Sequence, residues 1–145
     1  MFSKSCEYGL RAVLYIARES QGQRRTSLVQ IAREIDSPAP FTAKILQILV
    51  KSKVVRSEKG AAGGFFFKPE DLSKTTIEDV VRAIDGEASY KECVLGMKKC
   101  SDAHPCPMHH KFKPIKDNLL EMLSKTYLNE TSDSLNAGLS FLKND

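Results

Sequence analysis

Between Tyr90 and Phe112 the chain reads YKECVLGMKKCSDAHPCPMHHKF, placing Cys93, Cys100 and Cys106 close in sequence to His104, His109 and His110. Thiolate and imidazole are the donors that bind zinc or hold iron–sulfur centres. Structural zinc sites favour ligands two to four residues apart. Here six residues separate Cys93 from Cys100, and five separate Cys100 from Cys106. Gaps this wide describe a loop wrapped around something larger than one ion, which favours an iron–sulfur centre over zinc. A third reading is bare thiols that sense oxidants, with Lys98 and Lys99 beside Cys100. Three cysteines and a histidine exceed what a simple thiol switch needs. His109, three residues after Cys106, is the nearest fourth ligand by spacing, with His110 and His104 behind it. Its competitor is an acid from elsewhere, such as Glu7 delivered from the first helix of a partner subunit. Cys6 lies within that helix, where a lone cysteine packs as a small hydrophobe.

A chain of 145 residues suits one domain, or a small domain with an appended arm, and can bury a core without disulfides. The odd number of clustered cysteines also argues against a disulfide framework. The expected compartment is the cytoplasm, where thiols stay reduced. No apolar run is long enough to span a bilayer, so no membrane partner is expected. The opening MFSKSCEYGLRAVLYIARES carries Lys4, Glu7, Arg11, Arg18 and Glu19 and no small-residue cleavage site, so it reads as an amphipathic structural helix and not a secretion signal. The net charge of +4 is modest, but from Lys44 to Lys68 six basic residues face one acid, Glu58. Such a strip is a candidate phosphate-binding face.

The elements that position these residues follow from periodicity. Residues 4–20 show an apolar stripe at helical spacing. Thr26 or Ser27 caps a second helix, LVQIAREI. DSPAP cannot sit inside a helix and reads as a turn. FTAKILQILVKSK is a third helix. Strands at Val54–Ser57 and Phe65–Lys68, joined by a tip in which Gly60, Gly63 and Gly64 can take positive φ, add a hairpin. TTIEDVVRAIDG is a fourth helix, capped by Thr75 or Thr76 and stopped at Gly86. The fold class is therefore mainly α with a small β wing: a winged helix-turn-helix. Residues 87–111 show no sustained period. Helical spacing resumes from Phe112 to Leu128, with Pro114 in the first turn, and a last amphipathic piece, SDSLNAGLSFL, ends the chain. The expected organisation is a DNA-binding domain at 1–86, a cysteine-rich loop at 87–111, and a dimerisation helix with a C-terminal helix at 112–145.

The second helix of a helix-turn-helix meets base edges with its N-terminal residues. Here these are Pro38, Ala39, Pro40, Phe41, Thr42 and Lys44, with Phe41 and Thr42 suited to thymine methyls and Lys44 to guanine or phosphate. The wing supplies Arg56 and Lys59, beside Gly60, to phosphates or a narrow minor groove. The expected partners are double-stranded operator DNA and a second copy of the chain, because one domain reads few bases and paired domains read half-sites about 34 Å apart. The apolar stripe of the long helix is expected to form that dimer.

The sequence resembles the Rrf2 family of bacterial winged-helix regulators, which includes the iron–sulfur cluster assembly regulator, the nitric-oxide-sensitive repressor, the rhizobial iron regulator and the cysteine-metabolism repressor. The resemblance runs through YGLRAVLYIA, PAPFTAKILQILVKSKVV, GAAGGF, IEDVVRAIDG and CVLGMKKCSDAHPCPMHHKF. It implies a homodimer that binds operator DNA and represses transcription. It further implies that Cys93, Cys100 and Cys106 bind a 2Fe-2S or 4Fe-4S cluster. The fourth ligand would be His109, as in the assembly-regulator branch, or Glu7 of the partner, as in the nitric-oxide branch. Two features depart from the pattern: the first cysteine gap is one residue longer, and Ala43 stands where the assembly regulator has a base-reading Glu.

The expected function is thus a DNA-binding regulator whose operator binding follows an iron–sulfur cluster sensing nitric oxide, iron or redox state. The alternatives are a cluster-free or zinc-binding family member that responds to a small molecule or partner protein, and a small metalloprotein not acting on DNA. An enzyme is not expected. There is no recognisable nucleophile–base pair, and GAAGG lacks the Lys-Ser/Thr of a phosphate loop.

Overall fold

In a computed structural model, which describes residues 1–144, the first helix is the spine of the molecule. Helix α1 (Lys4–Gln21) is capped by Ser3, whose hydroxyl accepts from the Cys6 amide at 3.0 Å. Its Ala12, Val13, Ile16 and Ala17 are fully buried. Helices α2 (Leu28–Glu34) and α3 (Ala39–Lys51) follow, and both pack on α1. Ser27 is the cap of α2; Thr26 is buried and bridges to Phe65. The turn between the two helices carries Asp36 at positive φ, and Pro38 caps α3. This is the expected helix-turn-helix.

The wing is shorter and displaced from its expected place. Strands β1 (Arg56–Glu58) and β2 (Gly64–Phe66) pair antiparallel, with Arg56 opposite Phe66 and Glu58 opposite Gly64. Val55 and Phe67, expected inside strands, are instead buried anchors just outside them. A Cβ at Gly63 would lie 2.2 Å from the Glu58 carbonyl oxygen, so the tip closes only over glycine. A short helix α4 (Pro69–Leu72) then leads to α5 (Ile77–Asp85), capped by Thr76 and stopped at Gly86, whose φ is +69°.

The chain beyond Gly86 differs most from expectation. A short helix α6 (Ala88–Lys91) interrupts the segment read as irregular and buries Tyr90. The long helix α7 (His109–Lys125) begins three residues before Phe112. Pro114 is therefore inside the helix and not in its first turn, and the helix forgoes the bond that residue 114 would donate to the His110 carbonyl. Helix α8 (Leu128–Asn136) packs against α1, and Leu128 is fully buried. Leu123 and Leu128, read as parts of one outward stripe, instead complete the core of their own chain. What remains exposed on this side is Met108, Ile115 and Met122, spaced by sevens. Asp145, the last residue of the expected C-terminal segment, lies outside the described residues. No helix is long and apolar enough to cross a membrane among the described residues.

Candidate functional site

Two surfaces carry the candidate residues. On the winged surface, α3 presents Pro40, Lys44, Gln47, Ile48 and Lys51 to solvent, with exposed Pro38 at its cap. Lys44 has no ion-pair partner among the described residues, and neither does exposed Lys59 on the wing, beside Gly60 at φ +101°. Three expected contact residues are otherwise engaged. Thr42 is 1% exposed; its hydroxyl donates to the Pro38 carbonyl at 2.9 Å and lies 2.7 Å from the Ser37 hydroxyl. It holds the turn and is not available to a base edge. Phe41 packs edge-on against Tyr8, ring centroids 5.3 Å apart, and only its margin is open. Arg56 is clamped by Asp71 through two bonds, of 2.7 and 3.2 Å, and that pair holds the Asp71 carboxyl below its usual range. Lys51, expected only as part of the basic strip, shares this exposed face of α3, and Gln47 was missed. The signal for both was position: they follow Lys44 by about one and two helical turns.

The second surface is the thiol loop, closed over the start of α7. The Cys106 carbonyl accepts from the His109 amide at 3.0 Å, so the last cysteine and the histidine share the helix's opening turn. His109 is 3% exposed. Its Nε2 lies 2.7 Å from an Asp102 carboxylate oxygen, and its Nδ1 lies 3.4 Å from Cys100 Sγ. A carboxylate can only accept, so Nε2 carries a proton, and Nδ1 is the ring nitrogen that faces the sulfur. This bond holds the Asp102 carboxyl below its ordinary value. Cys93 is 6% exposed and Cys106 8%. The Cys93 thiol is held below its usual value, chiefly by the backbone amides of Met97 and Leu95 and also by the Cys106 side chain. Cys6 is the contrast: fully buried on α1, its thiol is pushed up to about 12 by burial and then by the charge of Asp85.

Lys116, which the sequence reading did not single out, belongs to the loop site. It is 7% exposed, and its Nζ lies 3.0 Å from Cys100 Sγ and 2.7 Å from the Glu92 carbonyl oxygen. Its signal was its place seven residues after His109 and seven before Leu123, on the inward face of α7. His104 and His110 are exposed, and His110 stacks edge-on against His109. Glu7 is exposed on α1 and pairs with Lys4 at 3.1 Å, in neither donor group of its own chain.

Of the four expected donors, Cys100 and His109 are in direct contact, while Cys93 and Cys106 are both buried in the same loop. No three His, Cys, Asp or Glu side chains among the described residues gather about one metal position. A tetrahedral zinc site requires all four donors around one point. Three cysteine sulfurs and an imidazole nitrogen, with Cys93, Cys106 and His109 buried and Cys100 beside a lysine ammonium, fit the donor chemistry of an iron–sulfur cluster, which its thiolate ligands make anionic overall.

Comparison with known proteins bears on both surfaces. The sequence model of the Rrf2 family, described as an iron-dependent transcriptional regulator, matches residues 2–133. A protein of Aquifex aeolicus (strain VF5) named as an HTH-type transcriptional regulator is 33% identical over 132 residues, covering 90% of each chain. Among solved structures, the global cysteine regulator CymR (YrzC) of B. subtilis superposes with a TM-score of 0.74 at 23% identity, covering 92% of this chain and 96% of that one. IscR of T. potens gives 0.72 at 20% identity, covering 97% and 91%. These two likenesses establish the winged-helix fold.

Proposed function

Because this chain belongs to the Rrf2 family of transcriptional regulators and is not an enzyme, we propose that it is a homodimeric repressor whose grip on operator DNA is set by an iron–sulfur cluster in the thiol loop. The observation that carries this reading is the contact of Cys100 Sγ with His109 Nδ1 beside the Lys116 ammonium, in a loop whose Cys93 and Cys106 are both buried and whose Cys106 carbonyl opens α7. Cys93, Cys100, Cys106 and His109 Nδ1 are the proposed ligands, with Asp102 orienting the imidazole. Glu7 of the partner subunit remains the competing fourth ligand. When bound, the cluster supplies a centre sensitive to nitric oxide, iron supply or oxidation.

The chain's own residues carry the coupling. The loop is tied to α7 through Cys106, His109 and Lys116; α7 packs on α5, and α5 packs on α3. A change in loop order therefore bears on the helix that presents Lys44, Gln47 and Lys51 to DNA. A useful switch needs coupling of only about 1–3 kcal/mol. Lys44 and Lys59 are the proposed phosphate or base contacts, with Pro38, Pro40 and the margin of Phe41 against the groove. Gly60 lets the wing backbone approach. The proposed units are the winged part at 1–86, the loop at 87–111 and the dimer-forming part at 112–145, acting in the cytoplasm.

The deciding experiment is anaerobic purification with iron and sulfide quantified, followed by operator binding with the cluster present and after its removal by nitric oxide or chelation. Iron and sulfide in equal amounts, with weaker operator binding on removal, are expected. Zinc without sulfide, or equal grip in both forms, overturns the reading.

A further inference from the structure

Lys116 stands where an apolar residue is the default. It shares the inward face of α7 with His109 and Leu123, is nearly as buried as they are, and has no carboxylate partner among the described residues. Its acceptors are a backbone carbonyl and a sulfur. Burying an ammonium without a counter-ion is costly, and a methionine or leucine would pack the same stripe without that cost. The charge therefore has a use at this spot, and both hydrogen-bond partners of the ammonium belong to the thiol loop.

We propose that Lys116 is the positioning and charge-compensating residue of the loop. Its ammonium ties the Glu92 carbonyl, at the loop's entrance, to the Cys100 sulfur, at its centre, and meets the negative charge of a cluster held there. This rests on the iron–sulfur reading above. Three thiolates and a neutral imidazole leave a core of two ferric ions and two sulfides negatively charged, and one-electron reduction adds a further negative charge. A fixed cation at hydrogen-bond distance from one ligand sulfur stabilises the reduced state more than the oxidised one, so it raises the reduction potential. The same two bonds restrain the loop before any cluster is present.

The test compares wild type with Lys116→Met, Lys116→Gln and Lys116→Arg, all purified anaerobically, with circular dichroism checking the fold. Iron and sulfide content tests the iron–sulfur reading itself. Redox titration then tests the charge role. Lys116→Met and Lys116→Gln are expected to shift the one-electron equilibrium toward the oxidised form by roughly tenfold, or about 59 mV, and Lys116→Arg to return it to within about threefold of wild type. A purely structural lysine would not give rescue by charge with failure of the neutral isostere. A cluster of unchanged potential in both neutral variants overturns the charge role. Amide hydrogen exchange over residues 93–109 of the cluster-free proteins tests the restraint independently of any metal. Exchange at least roughly tenfold faster in Lys116→Met, with the core unchanged, supports it, and unchanged exchange overturns it. If wild type holds neither iron nor sulfide, the iron–sulfur reading and the charge role both fall, and exchange alone decides the restraint.

Discussion

Thr42 and Lys59 stand at opposite ends of what residue type reveals. Both belong to elements expected to meet DNA, and burial separates them. Thr42 closes the turn with Ser37 and the Pro38 carbonyl, so Thr42→Val is expected to cost about 1–3 kcal/mol of stability through the lost bonds. Its sequence preference on DNA, measured by competition among operator variants, should not change. Lys59 is exposed and unpaired. Lys59→Ala should weaken binding to all sequences and reduce the slope of log affinity against log salt by about 0.9, the release from one phosphate. An unchanged slope would remove Lys59 from the interface. The thiol donors were legible as chemistry from their type and spacing. The contact of Cys100 with His109 was not, because it is set by Asp102 and Lys116, whose roles come from where α7 starts.

At the scale of elements, the hairpin is fastened to α4 as well as to its own partner strand. Arg56 and Asp71 form that fastening, and Asp71 also accepts from the Lys68 amide at 2.9 Å. The Asp71 carboxyl is held below its usual range, chiefly by Arg56. A lowered carboxylate pKa adds stability above the unfolded-state value, and that stability is lost as pH falls through the folded-state value. The stability gap between wild type and Asp71→Asn should therefore be constant above about pH 5 and close as the pH falls below about 4. A gap that persists at low pH would show that the ion pair is not its source. The helix-turn-helix was legible because its apolar residues recur at helical spacing between clear caps. The start of α7 was not. Its inward face runs His109, Lys116, Leu123, so two of three core-facing positions are polar and the hydrophobic pattern begins a turn late. The strands were displaced by the same kind of error, because Val55 and Phe67 are apolar as anchors and not as strand residues.

For the whole molecule, the C-terminal segment has two tasks. Leu123 and Leu128 close the core of their own chain, which the sequence could not distinguish from an outward stripe because apolar spacing does not say which face finds a partner in the same chain. The exposed face keeps Met108, Ile115 and Met122, with Ile115 55% and Met122 51% exposed. In the proposed homodimer this face is covered. Ile115→Glu with Met122→Glu should yield a monomer by sedimentation, with unchanged helical content and a large loss of operator affinity, since half-sites would then be read singly. A dimer that survives both changes would move the interface elsewhere.

The placement of Pro114 has a mechanical consequence. It divides α7 between the turn that carries His109 and the length that carries Met122, and removes one rung of the ladder at the division. A rod weakened there is most compliant at that joint, so in the proposed regulator a shift of the thiol loop, which grips the rod on both sides of Pro114 at His109 and Lys116, would flex it there. The proposed seam crosses the same joint, with Met108 before it and Ile115 and Met122 after it, so flexing there would alter how two copies meet.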